Sequence, residues 1–183
     1  MKYCLILTTI IFSILSNGCS DQTPPYGKNG MVVSTSRHAS QVGIDILQKN
    51  GNAVDAAAAV GFALAVTSSS NGNIGGGGFM VARFAEGKTF TLDYREMAPE
   101  AARRDMYLDE NGDIIEGKSL DTYFASGVPG SVDGLLKAWQ DHGSGNISLQ
   151  KLLAPAIDLA ESGFDLSHYE ATRFNLNKER LSQ

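Results

Sequence analysis

Hydrophobic positions change their period several times along the chain, and each change predicts an element. Ala39, Val42, Ile46 and Leu47 recur at helical spacing behind Ser36, whose hydroxyl can accept from the free amides of a first turn. This predicts an amphipathic helix from Ser36 to about residue 50, stopped by Gly51. Asn52 with Asp55 three residues on has the spacing of a capping box for a second helix. From 53 to 66 that helix is apolar on every side, so it must be buried. It is shorter than the roughly 20 residues needed to cross a bilayer.

Alternating residues at 79–84 and 89–94, around Glu86-Gly87-Lys88, predict a hairpin. A short helical stretch is expected at 101–106, and a turn at 109–113. The break Gly127-Val128-Pro129-Gly130-Ser131 launches a helix over 132–141. Ser148 caps another over 149–161, with a kink expected at Pro155. The last residues are polar, with no closing element expected. Helices packed on an antiparallel sheet make this an α+β chain.

The first segment reads as an address. Lys2, an apolar run over 4–15 and Ser16-Asn17-Gly18-Cys19 describe a secretory signal. Small residues before a cysteine resemble a bacterial lipoprotein signal, although Ser16 stands where that signal usually has Leu. The expected division is a signal peptide at 1–18, a tether at 19–29 containing Pro24, Pro25 and Gly27, and the main domain at 30–183. Cys19 would then be the lipidated first residue of a protein in the periplasm or anchored to a bacterial membrane. An ordinary cleaved signal with a bystander cysteine is the alternative. Loss of Cys4 leaves one cysteine and no internal disulfide.

Composition narrows the chemistry. Fifteen Lys and Arg against 20 Asp and Glu give a net charge of −5, which leaves no footprint for nucleic acid. His38, His142 and His168 lack ligand spacing, so neither a metal nor another cofactor is expected. The glycines at 75–78 lack the Gly-Lys-Ser/Thr ending of a phosphate cradle, and a strand rather than a helix follows them. They read instead as a place where backbone passes close to another element. Asp109, Asn111 and Asp113 imitate a calcium loop, but Ile114 and Leu120 stand where glycine and the bidentate Glu belong. No Gly-x-Ser-x-Gly elbow occurs. Arg95 stands out because it follows a strand and carries a planar fork suited to a carboxylate. From the residues alone, a local ion pair with Asp93 or Glu96 is the favoured reading.

Five blocks then occur in one order: Gly51-Asn52-Ala53-Val54-Asp55-Ala56-Ala57, Gly75-Gly76-Gly77-Gly78-Phe79-Met80, Asp93-Tyr94-Arg95-Glu96-Met97-Ala98-Pro99, Val128-Pro129-Gly130-Ser131-Val132 and Leu152-Leu153-Ala154-Pro155-Ala156-Ile157. Together they resemble the N-terminal part of the large subunit of gamma-glutamyltranspeptidases, over about residues 30–164. The resemblance implies part of an N-terminal-nucleophile hydrolase fold, an αββα sandwich incomplete in this chain. It also implies a precursor that cuts itself to free a threonine, whose amine serves as base for its own hydroxyl. That threonine takes a gamma-glutamyl group from glutathione or another gamma-glutamyl compound. The acyl-enzyme passes it to water or to an amino acid.

On this resemblance Arg95 binds the substrate α-carboxylate, which reverses the preference for a local ion pair. No catalytic residue is expected within the chain. The nucleophile belongs to a C-terminal part, the small subunit, which is the implied partner. Alone, the chain is expected to be inactive and loosely packed, with the 53–66 helix lacking cover. The alternatives are an inactive secreted or lipid-anchored remnant or binding module, and an acylase acting on a related amide.

The lipoprotein reading is testable in a bacterium that processes such signals. The chain should incorporate labelled palmitate and fractionate with membranes, whereas Cys19→Ser should lose the label and the membrane association. Equal labelling of both proteins would refute modification at Cys19.

Overall fold

The computed structural model of the chain describes residues 26–72 and 74–182. The expected signal peptide and Cys19 lie outside the described residues. So does most of the expected tether, whose residues 26–29 carry no helix or strand. No helix among the described residues is long and apolar enough to cross a membrane.

Helix α1, Arg37–Gln48, begins as its sequence dictates, with the Ser36 hydroxyl accepting from the Ala39 amide at 3.3 Å. Its end differs in detail. Asn50, not Gly51, takes the left-handed turn, at φ 64°. The Asn50 and Gly51 amides then donate to the Leu47 and Ile46 carbonyls and close the last turn. Gly51 is needed for space, since a β-carbon there would come within 2.7 Å of Ile46 Cγ2.

Helix α2, Ala53–Thr67, starts with a complete capping box. The Asn52 side chain accepts from the Val54 and Asp55 amides, and Asp55 Oδ2 accepts from the Asn52 amide at 2.8 Å. Both side chains also reach a distant turn. Asn52 Nδ2 donates to the His142 carbonyl, and the Ser144 amide donates to Asp55 Oδ2 at 3.0 Å. Asp55 is fully buried, and its Oδ1 has no hydrogen-bond partner.

The chain itself supplies part of the cover expected from elsewhere, while Ala53 and Ala57 stay exposed and Gly61, Leu64 and Ala65 are only half-buried. Helices α1, α3 (Ser131–His142) and α4 (Leu149–Ser162) wall in α2. Alanines 56, 58, 59 and 63 of α2 meet Ile46, Leu135, Ile147 and Leu152 in one apolar core. Small side chains let these layers approach closely, which is why a helix without a polar face suits this position.

Strands β1, Phe79–Arg83, and β2, Thr89–Asp93, form an antiparallel hairpin, with Phe79 opposite Asp93 and Val81 opposite Thr91. Met80, Ala82, Phe90 and Leu92 face the helices and are half-buried. Phe90 stacks on His142 at 3.8 Å, so this histidine packs at the end of α3. The opposite face is open, and Val81 is 80% exposed. This hairpin is the only sheet among the described residues, so the expected sandwich is present only in part.

Two local expectations need correction. Residues 101–106 form successive turns rather than a helix, since a stretch so short and exposed gains too little to offset nucleation. Helix α4 holds Pro155 within its length, as the sequence placed it. Beyond it, α5 (His168–Leu176) and the single turn α6 (Lys178–Leu181) occupy the stretch expected to be irregular. Ser167 caps α5 by accepting from the Glu170 amide, a Ser-x-x-Glu signature present in the sequence.

The Asp55 clamp predicts a stability effect. Asp55→Ala strands two inward-facing amides and should cost about 2–4 kcal/mol, read by urea unfolding. A change below about 0.5 kcal/mol would show the clamp to be dispensable.

Candidate functional site

The chain leaves β2 through Asp93-Tyr94-Arg95-Glu96, and the backbone of this segment is held before any side chain acts. The Tyr94 amide donates to the Gly78 carbonyl at 3.0 Å, and the Gly78 amide donates to the Tyr94 carbonyl. The hairpin ladder thus runs one pair beyond the strands. A β-carbon on Gly77 would lie 2.6 Å from Arg95 Cα. One on Gly130 would overlap the Tyr94 carbonyl. The Gly130 and Ser131 amides both donate to the Gly76 carbonyl, at 2.9 and 3.0 Å. Glycine-run backbone and the turn before α3 therefore close on the segment from two sides. Gly77 and Gly78 thus act through close approach, as the sequence suggested.

Arg95 emerges from this clamp on the uncovered side of the hairpin. Its amide donates to Asp93 Oδ1 at 3.0 Å, which fixes the turn out of the strand. Its Cζ stands 5.7 Å from the centre of the Phe79 ring. Nε and Nη2 donate to the two Glu96 carboxylate oxygens, at 3.2 and 2.8 Å. The hydrogen bond to Glu96 raises the Arg95 pKa further, and the same bond holds the Glu96 carboxyl below its usual range.

The local ion pair read from the residues is therefore real, with Glu96 as partner. It uses one edge of the guanidinium. Nη1 makes no hydrogen bond among the described residues, so the Nη1/Nη2 edge can still take a carboxylate in bidentate fashion. The Arg95 side chain is 55% exposed and open to such a ligand.

Glu96 also borders an open groove of about 350 Å³, lined by Met97, Met106, Tyr107, Phe124 and Gly127. Its far wall is tied back by the Tyr107 hydroxyl, which donates to the Phe124 carbonyl at 2.8 Å. Bridging between Met97 and Val128 closes the loop between them.

The other sequence candidates do not join this site. Asp109 Oδ1 accepts from the Asn111 and Asp113 amides in an exposed turn, and these backbone bonds lower its pKa. His38 packs edge-on against Phe164. No group of three potential metal ligands occurs among the described residues. The sequence offered Glu96 as one of two ion-pair partners without saying which guanidinium edge it would take, and it gave no sign of the close approach at Gly130.

Comparison with known proteins places this geometry in a wider frame. The family model for gamma-glutamyltranspeptidase matches residues 39–183. The chain is 46% identical over 162 residues to the glutathione hydrolase proenzyme of Pseudomonas sp. (strain A14), covering 88% of this chain and 28% of that protein. It is 51% identical over 141 residues to the Escherichia coli (strain K12) glutathione hydrolase proenzyme, covering 77% of this chain and 24% of that one. The chain thus spans about a quarter of the length of these relatives. Its fold superposes on the crystal structure of Helicobacter pylori gamma-glutamyltranspeptidase with a TM-score of 0.81 and 42% identity, over 86% of this chain and 45% of that one. With the glycine clamp, the Arg95 segment and α3 all inside the matched region, the chain belongs to the gamma-glutamyltranspeptidase family.

Proposed function

We propose that this chain supplies the carboxylate-binding part of a gamma-glutamyl transferase or hydrolase acting on glutathione and other gamma-glutamyl amides. The observation that carries the reading is the Arg95 guanidinium, anchored along one edge by Glu96 and open along the other. An amino-acid α-carboxylate has the planar, two-oxygen geometry that this edge matches. Held there, the substrate would present its γ-amide at a fixed distance from the site. The nucleophile would be an N-terminal threonine from the portion of the relatives beyond the matched segment. It would form an acyl-enzyme resolved by water or an amino-acid acceptor. Export, with a lipid anchor at Cys19, would place this chemistry outside the inner membrane. The identity to glutathione hydrolase proenzymes supports the substrate class.

A complete enzyme for testing this is a chimera in which the chain's own residues replace the matching 141-residue segment of the Escherichia coli relative. Arg95→Lys keeps the charge but loses the planar fork, so KM for a gamma-glutamyl donor should rise at least about tenfold. An unchanged KM would leave Arg95 as a surface ion-pair residue only.

A further inference from the structure

Arg95 is exposed and rests only on Phe79 and its neighbour Glu96, so the direction of its stem depends on the backbone that carries it. Its neighbour Tyr94 is the better-seated residue: half-buried where Arg95 is exposed. The two point to opposite sides of an extended segment, as successive residues there must. A β-carbon on Gly134 of α3 would overlap Tyr94 Cβ and Cγ. One on Gly78 would come within 2.8 Å of Tyr94 Cε2 and 3.1 Å of its hydroxyl oxygen. The ring therefore lies in a socket that exists only because residues 78 and 134 lack side chains. Its hydroxyl makes no hydrogen bond among the described residues, so the ring engages by shape.

Resting on the reading of Arg95 as the carboxylate ligand, we propose that Tyr94 is the positioning residue of this subsite and Gly134 its socket. The ring fixes the rotation of the segment about its own axis, and Arg95 inherits its outward direction from that rotation. Helix α3 thereby becomes part of the binding apparatus without touching substrate. Losing the ring would free the segment to turn, and the guanidinium would reach the carboxylate in only a fraction of conformations. Weaker donor binding with nearly intact turnover is the expected signature, because the reacting groups stand elsewhere.

The test uses the chimera and a gamma-glutamyl donor, with KM, kcat and the melting temperature read for each variant. Tyr94→Ala should raise KM about tenfold while kcat moves less than about threefold. Tyr94→Phe, which keeps the ring, should restore the KM lost in Tyr94→Ala. Gly134→Ala should raise KM in the wild-type background and raise it less in the Tyr94→Ala background, where the clash with the ring is gone and only the one with the β-carbon of residue 94 remains. Should Tyr94→Ala fail to fold, Tyr94→Leu and Gly134→Ala carry the same comparison. A KM raised by Arg95→Lys but untouched by Tyr94→Ala and Gly134→Ala would overturn the positioning role and leave the Arg95 reading standing. Additive effects of Tyr94→Ala and Gly134→Ala would also overturn it. An Arg95→Lys variant with unchanged KM would remove the reading on which the role rests.

Discussion

Close approach of backbone to backbone around Tyr94 and Arg95 is the constraint on which the site depends. At residues 77, 78, 130 and 134 a single added carbon would collide with this segment. Such positions accept no ordinary side chain without displacement of main chain or ring. In exchange, two loops and a helix converge on two residues, and the shared Gly76 carbonyl ties the glycine run to the start of α3. A guanidinium on a flexible stem has about 2 kcal/mol of rotamer freedom to lose. Anchoring its backbone and one edge of its fork reduces what remains to be ordered when a ligand arrives.

The division between stability and function follows from where apolar surface goes. Helices α1, α3 and α4 bury theirs against α2, and the Asn52–Asp55 box ties the start of α2 to the end of α3. The hairpin buries only one face. Phe79 and Val81 lie on the other, on the side where Arg95 emerges. An exposed pair such as Arg95–Glu96 contributes little to folding. Its consequence is geometric: it decides which edge of the fork is spent and which is offered.

Much of this was legible from residues. Ser36, Asn52 and Ser148 announced their helices because a capping side chain acts within three residues of itself. The 53–66 run declared a buried helix because no polar face could be drawn on it. Arg95 was legible as a candidate but not as a geometry. Its partner Glu96 is adjacent in sequence, yet nothing local says which guanidinium edge it takes. Gly134 was silent, since an isolated glycine inside a helix means little until Tyr94, 40 positions earlier, is brought against it. The part of the cover over α2 that comes from Ile147 and Leu152 was likewise silent, because these residues reach it only through tertiary packing. Residues 101–106 failed in the opposite direction, with local helix preference too weak to survive exposure.

The most direct test of the account is a crystal structure of the chimeric enzyme with L-glutamate bound. The α-carboxylate should lie within hydrogen-bonding distance of Arg95 Nη1 and Nη2, with Glu96 still on Nε and the Tyr94 ring against Gly134. A carboxylate bound away from Arg95, or one that displaces Glu96 from the fork, would contradict it.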